Sequence, residues 1–202
     1  MKKSLEEKQK VKTCIENAAI EVLLERGYRG TTVREIARKA NMTNGNIYFY
    51  YPSKEKLYES IVEPAYRELK QLIQSGQRMI LQTNRLDPSL LQFNYQKAAH
   101  LFGKYRKNIL VLFTSNVGTR YQPAYQNLID EMSELIYEIA QSLAVRKNKR
   151  VLKERFYFRL LGVYWVEGFL EIVRNFQDER WARQMLYDYV EVIFAGLDKS
   201  IG

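Results

Sequence analysis

One short segment of the chain, TNGNIYFYY, places small polar side chains and phenols next to one another without a charged residue. Thr43, Asn44 and Asn46 carry hydrogen-bonding groups, and Tyr48 and Tyr50 add hydroxyls. An Asn amide can pair bidentately with adenine, a Thr offers a hydroxyl and a methyl group to thymine, and a Tyr hydroxyl can reach a phosphate. These residue types are suited to contacting DNA bases and phosphates.

Capping patterns and apolar spacing predict the helices that would hold this segment. Thr32 and Glu35 have the spacing of a capping box at the start of one helix, which is predicted to stop near Asn41. Thr43 can cap the next helix, and Ile47 is its inward-facing residue. Two helices joined by so short a turn are predicted to form a helix-turn-helix.

The same residues have a plainer interpretation. Asn44 and Asn46 could be solvated surface residues, and the tyrosines could belong to a core. Helix-turn-helix geometry also occurs in proteins that never bind DNA, so the pattern alone leaves both interpretations open.

Residues 31–55, TTVREIARKANMTNGNIYFYYPSKE, resemble the DNA-binding segment of the TetR (tetracycline repressor) family. The shared features are two threonines before the second helix, the Ile-Ala pair inside it, the Gly-x-Ile-Tyr run and the Pro-Ser-Lys-Glu start of the fourth helix. Two positions depart from the pattern, since Asn41 stands where the turn usually has Gly and Tyr51 where Phe is usual. Asn tolerates a left-handed backbone, so the turn is still expected.

The resemblance implies that ten residues contact DNA. Phosphate contacts are expected from Thr32, Tyr48 and Lys54, the last near a helix N-terminus that also favours an anion. Arg34 matches a position from which the second helix can reach a base. Phe49 could contact a thymine methyl group or pack against its neighbours. The residues expected at base edges are Thr43, Asn44, Gly45, Asn46, Phe49 and Tyr50.

The lysine-rich N-terminus also has two interpretations. Lys2, Lys3, Lys8, Lys10 and Lys12 are interleaved with two glutamates. They could form an arm in the minor groove of DNA, or a solvated terminus.

Composition indicates a small, basic, helical protein. The chain has 202 residues, 32 Lys or Arg, 23 Asp or Glu and a formal net charge of +9. Its apolar runs fall short of the roughly 18 residues that a membrane helix needs, and it lacks the apolar stretch of a signal peptide. We therefore expect a cytoplasmic protein without a membrane partner. One His, one Cys, no phosphate-binding Gly motif and no metal-ligand spacing argue against an enzyme, a metal site and a cofactor.

An all-α fold with two domains is expected. Residues 1–51 would form the helix-turn-helix DNA-binding domain, in which a helix over 5–26 ends at Gly27. Residues 52–202 would form a helical effector-binding and dimerisation domain, and Pro64 is expected to kink its first helix because it removes an internal hydrogen bond. Further helices are predicted at about 90–103, 105–117, 123–144, 152–175 and 179–199.

The last two predicted helices are candidates for a dimer interface. Residues 157–176 are apolar on nearly every side, and a helix of that kind must be covered all round. Gly162 and Gly168 would permit close helix approach. We expect these helices to pair with their copies in a homodimer, as the resemblance also implies, with a core inside one chain as the alternative.

Aromatic residues are dense in the predicted second domain. Most must be ordinary core, but the resemblance implies a pocket there for an apolar or amphiphilic small molecule. Tyr164 and Glu167 share a helix face and could hold a cation, although an ion pair with an Arg is a plainer role for Glu167. The expected pocket lining is Phe102, Phe113, Asn116, Tyr125, Tyr164, Trp165 and Glu167.

The patterns and the resemblance together predict a transcriptional repressor. A homodimer would bind a pseudo-palindromic double-stranded DNA operator, and a small-molecule effector would release it. The alternative is a helical regulator or adaptor that responds to a protein partner instead.

Overall fold

The computed structural model describes residues 4–83 and 87–202, which are largely helical. These residues contain no β-strand, and a single antiparallel bridge joins Val151 to Ile201. The predicted all-α fold is therefore confirmed. No helix in the described residues is long and apolar enough to cross a membrane. The helices are α1 (Leu5–Gly30), α2 (Val33–Lys39), α3 (Asn44–Tyr50), α4 (Lys54–Thr83), α5 (Gln92–Thr114), α6 (Ala124–Arg146), α7 (Arg155–Arg174) and α8 (Glu179–Asp198), with a 3-10 turn at Pro88–Leu91.

The chain divides into two compact units. The first contains Met1–Arg67 and Lys107–Gln122, and the second contains Glu68–Arg106 and Pro123–Gly202. Helices α4 and α5 each contribute residues to both units. The predicted domains, 1–51 and 52–202, divide the chain by function rather than by contacts, and their boundary stays a prediction.

Side-chain caps fix the start of the first two helices. The hydroxyl of Ser4 accepts a hydrogen bond from the Glu7 amide (3.2 Å), and the Glu7 carboxylate accepts one from the Ser4 amide (2.9 Å). Thr32 and Glu35 make the same reciprocal pair at the start of α2, at 3.2 and 3.1 Å. The predicted capping box at Thr32 is confirmed.

The early start of α1 bears on the lysine-rich terminus. Because α1 begins at Leu5, the side chains of Lys8, Lys10 and Lys12 project from a helix and not from an extended arm. Lys2 and Lys3 lie outside the described residues.

Two residues in the left-handed region set the directions of the first helices. Gly27 has φ 66° and ψ 172°, which breaks the helical backbone near the end of α1. Asn41 has φ 54° directly after α2. The amide of Asn41 bonds to the Arg38 carbonyl (3.2 Å) and that of Met42 to the Ala37 carbonyl (2.8 Å), which is a Schellman arrangement. The turn predicted at Asn41 is confirmed.

Some helices differ from their predicted bounds. The two helices predicted at about 90–103 and 105–117 are one helix, α5, with a non-helical residue at Tyr105 (φ −121°, ψ 18°). Helix α7 begins at Arg155, because the amide of Leu152 instead bonds to the Ser200 carbonyl (2.8 Å) beside the bridge. Helix α4 is continuous through Pro64.

Close approach of helices in the second unit depends on two glycines. A Cβ atom on Gly162 would lie 3.0 Å from the Ile129 carbonyl oxygen and 3.0 Å from the Ser133 amide nitrogen in α6. Gly168 lies against the ring of Tyr189 in α8. The prediction that Gly162 and Gly168 permit close packing is confirmed.

Replacing Gly162→Ala should therefore lower the free energy of unfolding by about 1–3 kcal/mol, because backbone atoms of α6 occupy the space that the methyl group needs. Chemical denaturation of the purified protein measures this change. Gly196→Ala is the matched control in α8, where a Cβ atom would meet the Tyr157 hydroxyl at 3.4 Å. Because Ala has a higher helix propensity than Gly, Gly196→Ala should leave the free energy of unfolding unchanged or raise it by up to about 1 kcal/mol. Equal effects of the two substitutions would contradict the role given to Gly162.

Candidate nucleic-acid interface and effector cavity

Helix α3 presents most of its side chains to solvent. Of its seven residues, all of which the structure describes, Ile47 alone is buried. Phe49 is 76% exposed and Tyr48 is 51% exposed. Asn44, Gly45 and Asn46 are exposed, and Tyr50 is half-buried. The interpretation of the tyrosines as core residues is therefore wrong for Tyr48.

The polar groups of α3 are largely free for an external partner. Within residues 4–83 and 87–202, no hydrogen bond engages the side-chain amide of Asn44 or Asn46. The hydroxyl of Thr43 accepts a hydrogen bond from the Asn46 amide (3.2 Å), as predicted for a cap, and its own proton remains available. The rings of Phe49 and Tyr50 pack edge to face, with centroids 5.2 Å apart.

Helix α2 supplies the support on which α3 lies. Ile36 and Ala37 are buried together with Ile47, while Thr32 and Arg34 on the other side of α2 are exposed. Arg34 forms no ion pair with a described residue, so its guanidinium is available for an anion. Lys39, by contrast, lies 2.9 Å from Glu21 and 3.0 Å from Glu25 of α1.

Tyr51, the position where Phe is usual, uses its hydroxyl inside the first unit. The hydroxyl donates a hydrogen bond to the Glu16 carboxylate (2.6 Å), which also accepts one from the Ser60 hydroxyl (3.2 Å). Burial, and then the neighbouring Glu16 carboxylate, raises the pKa of Tyr51. A Tyr at this position therefore ties the end of α3 to α1 and α4.

Lys54 has a structural role that the sequence did not predict. Its ammonium donates hydrogen bonds to the carbonyls of Tyr28 (2.9 Å) and Thr31 (3.0 Å) and lies 4.2 Å from the centre of the Tyr28 ring. Burial lowers the pKa of Lys54. Two of the three ammonium N–H groups of Lys54 thus bind carbonyls at the end of α1, and the third remains available for the expected phosphate contact.

The residues expected to line an effector pocket do not come together in one cavity. Phe102 is fully buried, with its ring edge-on to that of Phe169 at 5.1 Å. Phe113 and Asn116 belong to the first unit. The Asn116 amide donates to the carbonyls of Leu112 (2.8 Å) and Tyr121 (3.1 Å), which caps the end of α5.

The other four residues are divided between a surface pair, a stacked ring and a cavity. Tyr125 donates a hydrogen bond to the Glu167 carboxylate, which raises the pKa of Tyr125 to about 12. The partner of Glu167 is therefore a tyrosine rather than an arginine. Tyr164 stacks on Tyr189, with ring centroids 4.8 Å apart. Trp165 lines a cavity of the second unit.

That cavity has a volume of about 120 Å³ and walls that are almost entirely apolar. Helices α4 to α8 all contribute to it, and the Trp165 ring, stacked on Phe169 at 5.4 Å, forms part of one wall. Sequence reasoning found only Trp165 among the lining residues. Apart from Gly76, Gln77 and Asn94, the others are apolar residues that helical periodicity assigns to the core. That periodicity does not distinguish the wall of a cavity from a filled interior.

The described residues contain no group of three or more His, Cys, Asp or Glu side chains that could hold a metal ion. His100, the single histidine, lies 3.1 Å from the Glu179 carboxylate at the surface.

Comparison with known proteins adds to this geometry. Residues 15–61 match the family described as bacterial regulatory proteins, tetR family. The chain is also 26% identical over 126 residues to IcaR of Staphylococcus aureus, a biofilm operon icaADBC HTH-type negative transcriptional regulator. That match covers 59% of this chain and 66% of IcaR, so the chain spans just under two thirds of the length of this relative.

Solved structures show the same fold. SCO3833 from Streptomyces coelicolor, a member of the TetR transcriptional regulator family, has a TM-score of 0.61 and 18% identity, covering 90% of each chain. AibR, solved in complex with isovaleryl coenzyme A and operator DNA, has a TM-score of 0.56 and 16% identity, covering 88% of this chain and 96% of AibR.

The matched segment contains the capping box at Thr32, the left-handed turn at Asn41 and the exposed helix α3. The family that this segment matches is described as bacterial regulatory proteins. Residues 15–61 therefore match the tetR family of bacterial regulatory proteins, and the chain as a whole has the fold seen in SCO3833 and AibR.

Proposed function

We propose that this regulator is a repressor that binds a pseudo-palindromic operator as a homodimer and leaves it when a small molecule occupies the second unit. The observation that carries the proposal is the exposed, uncharged surface of α3, with two side-chain amides that have no partner among the described residues. IcaR is described as a negative regulator, which supports repression. Binding to the DNA upstream of its own gene, compared with a scrambled duplex in a gel-shift titration, tests it.

The DNA-reading surface is argued from its hydrogen-bonding groups. Amides such as those of Asn44 and Asn46 match the donor and acceptor pair of adenine in the major groove. Arg34 and the hydroxyl of Tyr48 are exposed beside them and suit base edges or phosphates. The exposed Thr32 hydroxyl donates a hydrogen bond to the Glu35 carboxylate (2.9 Å), which it would exchange for one to a phosphate. Gly45, exposed in the first turn of α3, would let the backbone approach the groove closely.

Dimerisation is argued from an apolar stripe on α7. Phe156 is 65% exposed and Leu160 is 52% exposed, and with Tyr164 they recur every four residues on one face of the helix. Neighbouring charges on α7 are already paired with α6, since Arg155 and Arg159 bind Glu134 and Asp130. A second copy of this stripe would cover it, and a two-fold interface would place two α3 helices on successive half-sites.

Release is argued from the cavity and from the course of the chain. Helices α4 and α5, which contribute to the cavity wall, also contribute residues to the first unit. A ligand that binds better to one arrangement of these helices would shift the population toward that arrangement. AibR, which was solved with both an acyl coenzyme A and operator DNA, supports a small-molecule effector.

Asn44→Ala should reduce the discrimination between the operator and a duplex with one altered base pair by about 1–3 kcal/mol, because a bidentate contact is lost. Fluorescence anisotropy with labelled duplexes measures this difference. The control is Asn17→Ala, which removes an exposed Asn from α1. An Asn44→Ala protein that retains full discrimination would show that Asn44 does not read a base.

Lys54→Met should lower the free energy of unfolding by about 1.5–3 kcal/mol, because two carbonyls lose a charged donor. It should also weaken binding to all sequences alike and make the salt dependence shallower by about one phosphate contact. Denaturation and binding titrations over a salt series measure the two effects. Lys56→Met, which removes a surface pair with Glu59, is the control and should change neither strongly. An unchanged salt slope in Lys54→Met would confine Lys54 to its structural role.

Leu160→Glu should raise the dissociation constant of the dimer by at least about 100-fold, because a two-fold interface would bury the new charge twice. Analytical ultracentrifugation measures the constant. Val145→Glu places the same type of change at an exposed site at the end of α6 and should leave the dimer intact. A Leu160→Glu protein that remains fully dimeric would exclude this face as the interface.

A further inference from the structure

The apolar cavity has a polar neighbour that shares one residue with it. The second cavity, of about 220 Å³, lies between α5 and α8 and is lined by polar and charged side chains. Tyr95 borders both cavities. The remaining residues of the polar cavity are Gln92, Gln96, Arg180, Arg183, Gln184 and Tyr187.

Tyr95 carries a buried hydroxyl that has no hydrogen-bond partner in the described part of the chain. The residue is 5% exposed, and its hydroxyl forms no hydrogen bond with any atom of the described residues. An unpaired buried hydroxyl is unfavourable, and most buried polar groups in proteins are paired. A ligand that brings an acceptor to this place would satisfy it.

Arg180 and Arg183 have no counter-ion among the described residues. Arg180 and Arg183 are three residues apart, so they share a face of α8, and neither forms an ion pair within residues 4–83 and 87–202. They are exposed at the polar cavity, so a ligand can reach both guanidinium groups.

The acidic residues nearby each accept a hydrogen bond from a group other than Arg180 and Arg183. Asp178 caps α8 by accepting a hydrogen bond from the Trp181 amide (2.8 Å), Glu179 binds His100, and Asp188 accepts one from Gln184 (2.7 Å). Asp87 is the carboxylate that acts electrostatically on Tyr95. Its Oδ1 atom accepts hydrogen bonds from the amide (3.0 Å) and the hydroxyl (2.6 Å) of Ser89.

We propose that the two cavities form one site for an amphiphilic carboxylate, with the hydrocarbon tail in the apolar cavity, the carboxylate at Arg180 and Arg183, and the Tyr95 hydroxyl donating to the carboxylate. This inference rests on the proposed function for its regulatory meaning, and it names the class of effector. It differs from the possibility of a cation at Tyr164 and Glu167, where the Glu167 carboxylate accepts a hydrogen bond from Tyr125.

The volume of the apolar cavity limits the tail. About 120 Å³ is close to the roughly 150 Å³ of an apolar cavity that accepts benzene. The cavity therefore accommodates about six carbons. An eight-carbon chain is a suitable probe, because its last carbons and its head group would extend past Tyr95 toward the arginines.

Three probes with the same tail and different head groups test the charge requirement. Octanoate, 1-octanol and octylammonium are titrated into the full-length protein without DNA, and binding is measured by calorimetry. Octanoate should bind at least about ten times more tightly than either of the others, since a hydrogen bond to a charged group is among the stronger ones. Equal affinity for the three probes, or preference for octylammonium, would overturn the proposal.

Variants test the assigned residues. The double substitution Arg180→Gln and Arg183→Gln should weaken octanoate binding at least about ten-fold and leave octanol binding unchanged. The double substitution Lys149→Gln and Arg150→Gln, at exposed positions after α6, makes the same change in net charge and should leave octanoate binding unchanged. A similar loss in both double variants would mean that net charge alone attracts the anion.

Tyr95→Phe separates a ligand-binding role from a structural one. Because the hydroxyl has no partner to lose, the variant should be at least as stable as the original protein by thermal unfolding. It should bind octanoate several-fold more weakly and octanol equally well. Unchanged octanoate binding would remove Tyr95 from the site.

The operator complex distinguishes this inference from the proposed function. If octanoate binds as described and also releases operator DNA, both are supported. If it binds with the expected selectivity but DNA remains bound, the site is supported and release by this effector is overturned. If DNA binding is sequence-specific but octanoate is not selected over octanol, the effector class is overturned and the DNA-binding function is supported.

Discussion

The burial of Ile47 is the interaction on which the proposed DNA-reading surface depends. Helix α3 is seven residues long, and Ile47 is its one buried residue within the described part of the chain. A helix of this length is not stable alone in water, so its position comes from tertiary contact with α2 and from its cap. The orientation of the exposed side chains of α3 therefore depends on the buried Ile47, on the Thr43 cap and on the left-handed turn at Asn41.

Hydrogen bonds from Tyr51 and Lys54 add to the small apolar contact that holds α3. We call these two residues polar anchors. Tyr51 connects the residue after α3 to Glu16, and Lys54 closes the end of α1 through two carbonyls. Both anchors join segments distant in sequence. The first unit thus holds a short, mostly solvated helix by a few directional bonds rather than by a large hydrophobic face. In the second unit, Gly162 and Gly168 instead allow close packing of longer helices.

Features encoded locally could be predicted from the sequence, and features that depend on distant partners could not. The Thr32 capping box and the Asn41 turn each involve residues within a few positions, so their chemistry predicts their geometry. The partner of Tyr51 is 35 positions away, and the carbonyls bound by Lys54 are 23 and 26 positions away. The break predicted near Gly103 is instead a non-helical residue, Tyr105, inside one continuous helix. The apolar cavity was missed because its walls have the same periodicity as a filled core.

The absence of charge on α3 has a consequence for how binding sites are ranked in a changing ionic environment. Contacts between neutral side chains and base edges displace no counter-ions, whereas contacts with phosphates do. Added salt would therefore weaken the affinity of the protein for all DNA, because it acts on the phosphate contacts of the cationic residues around α3. The ratio of the affinities for operator and non-operator sequences would stay nearly constant. A cell whose internal ionic strength rises would keep the same order of preferred sites while fewer of them are occupied.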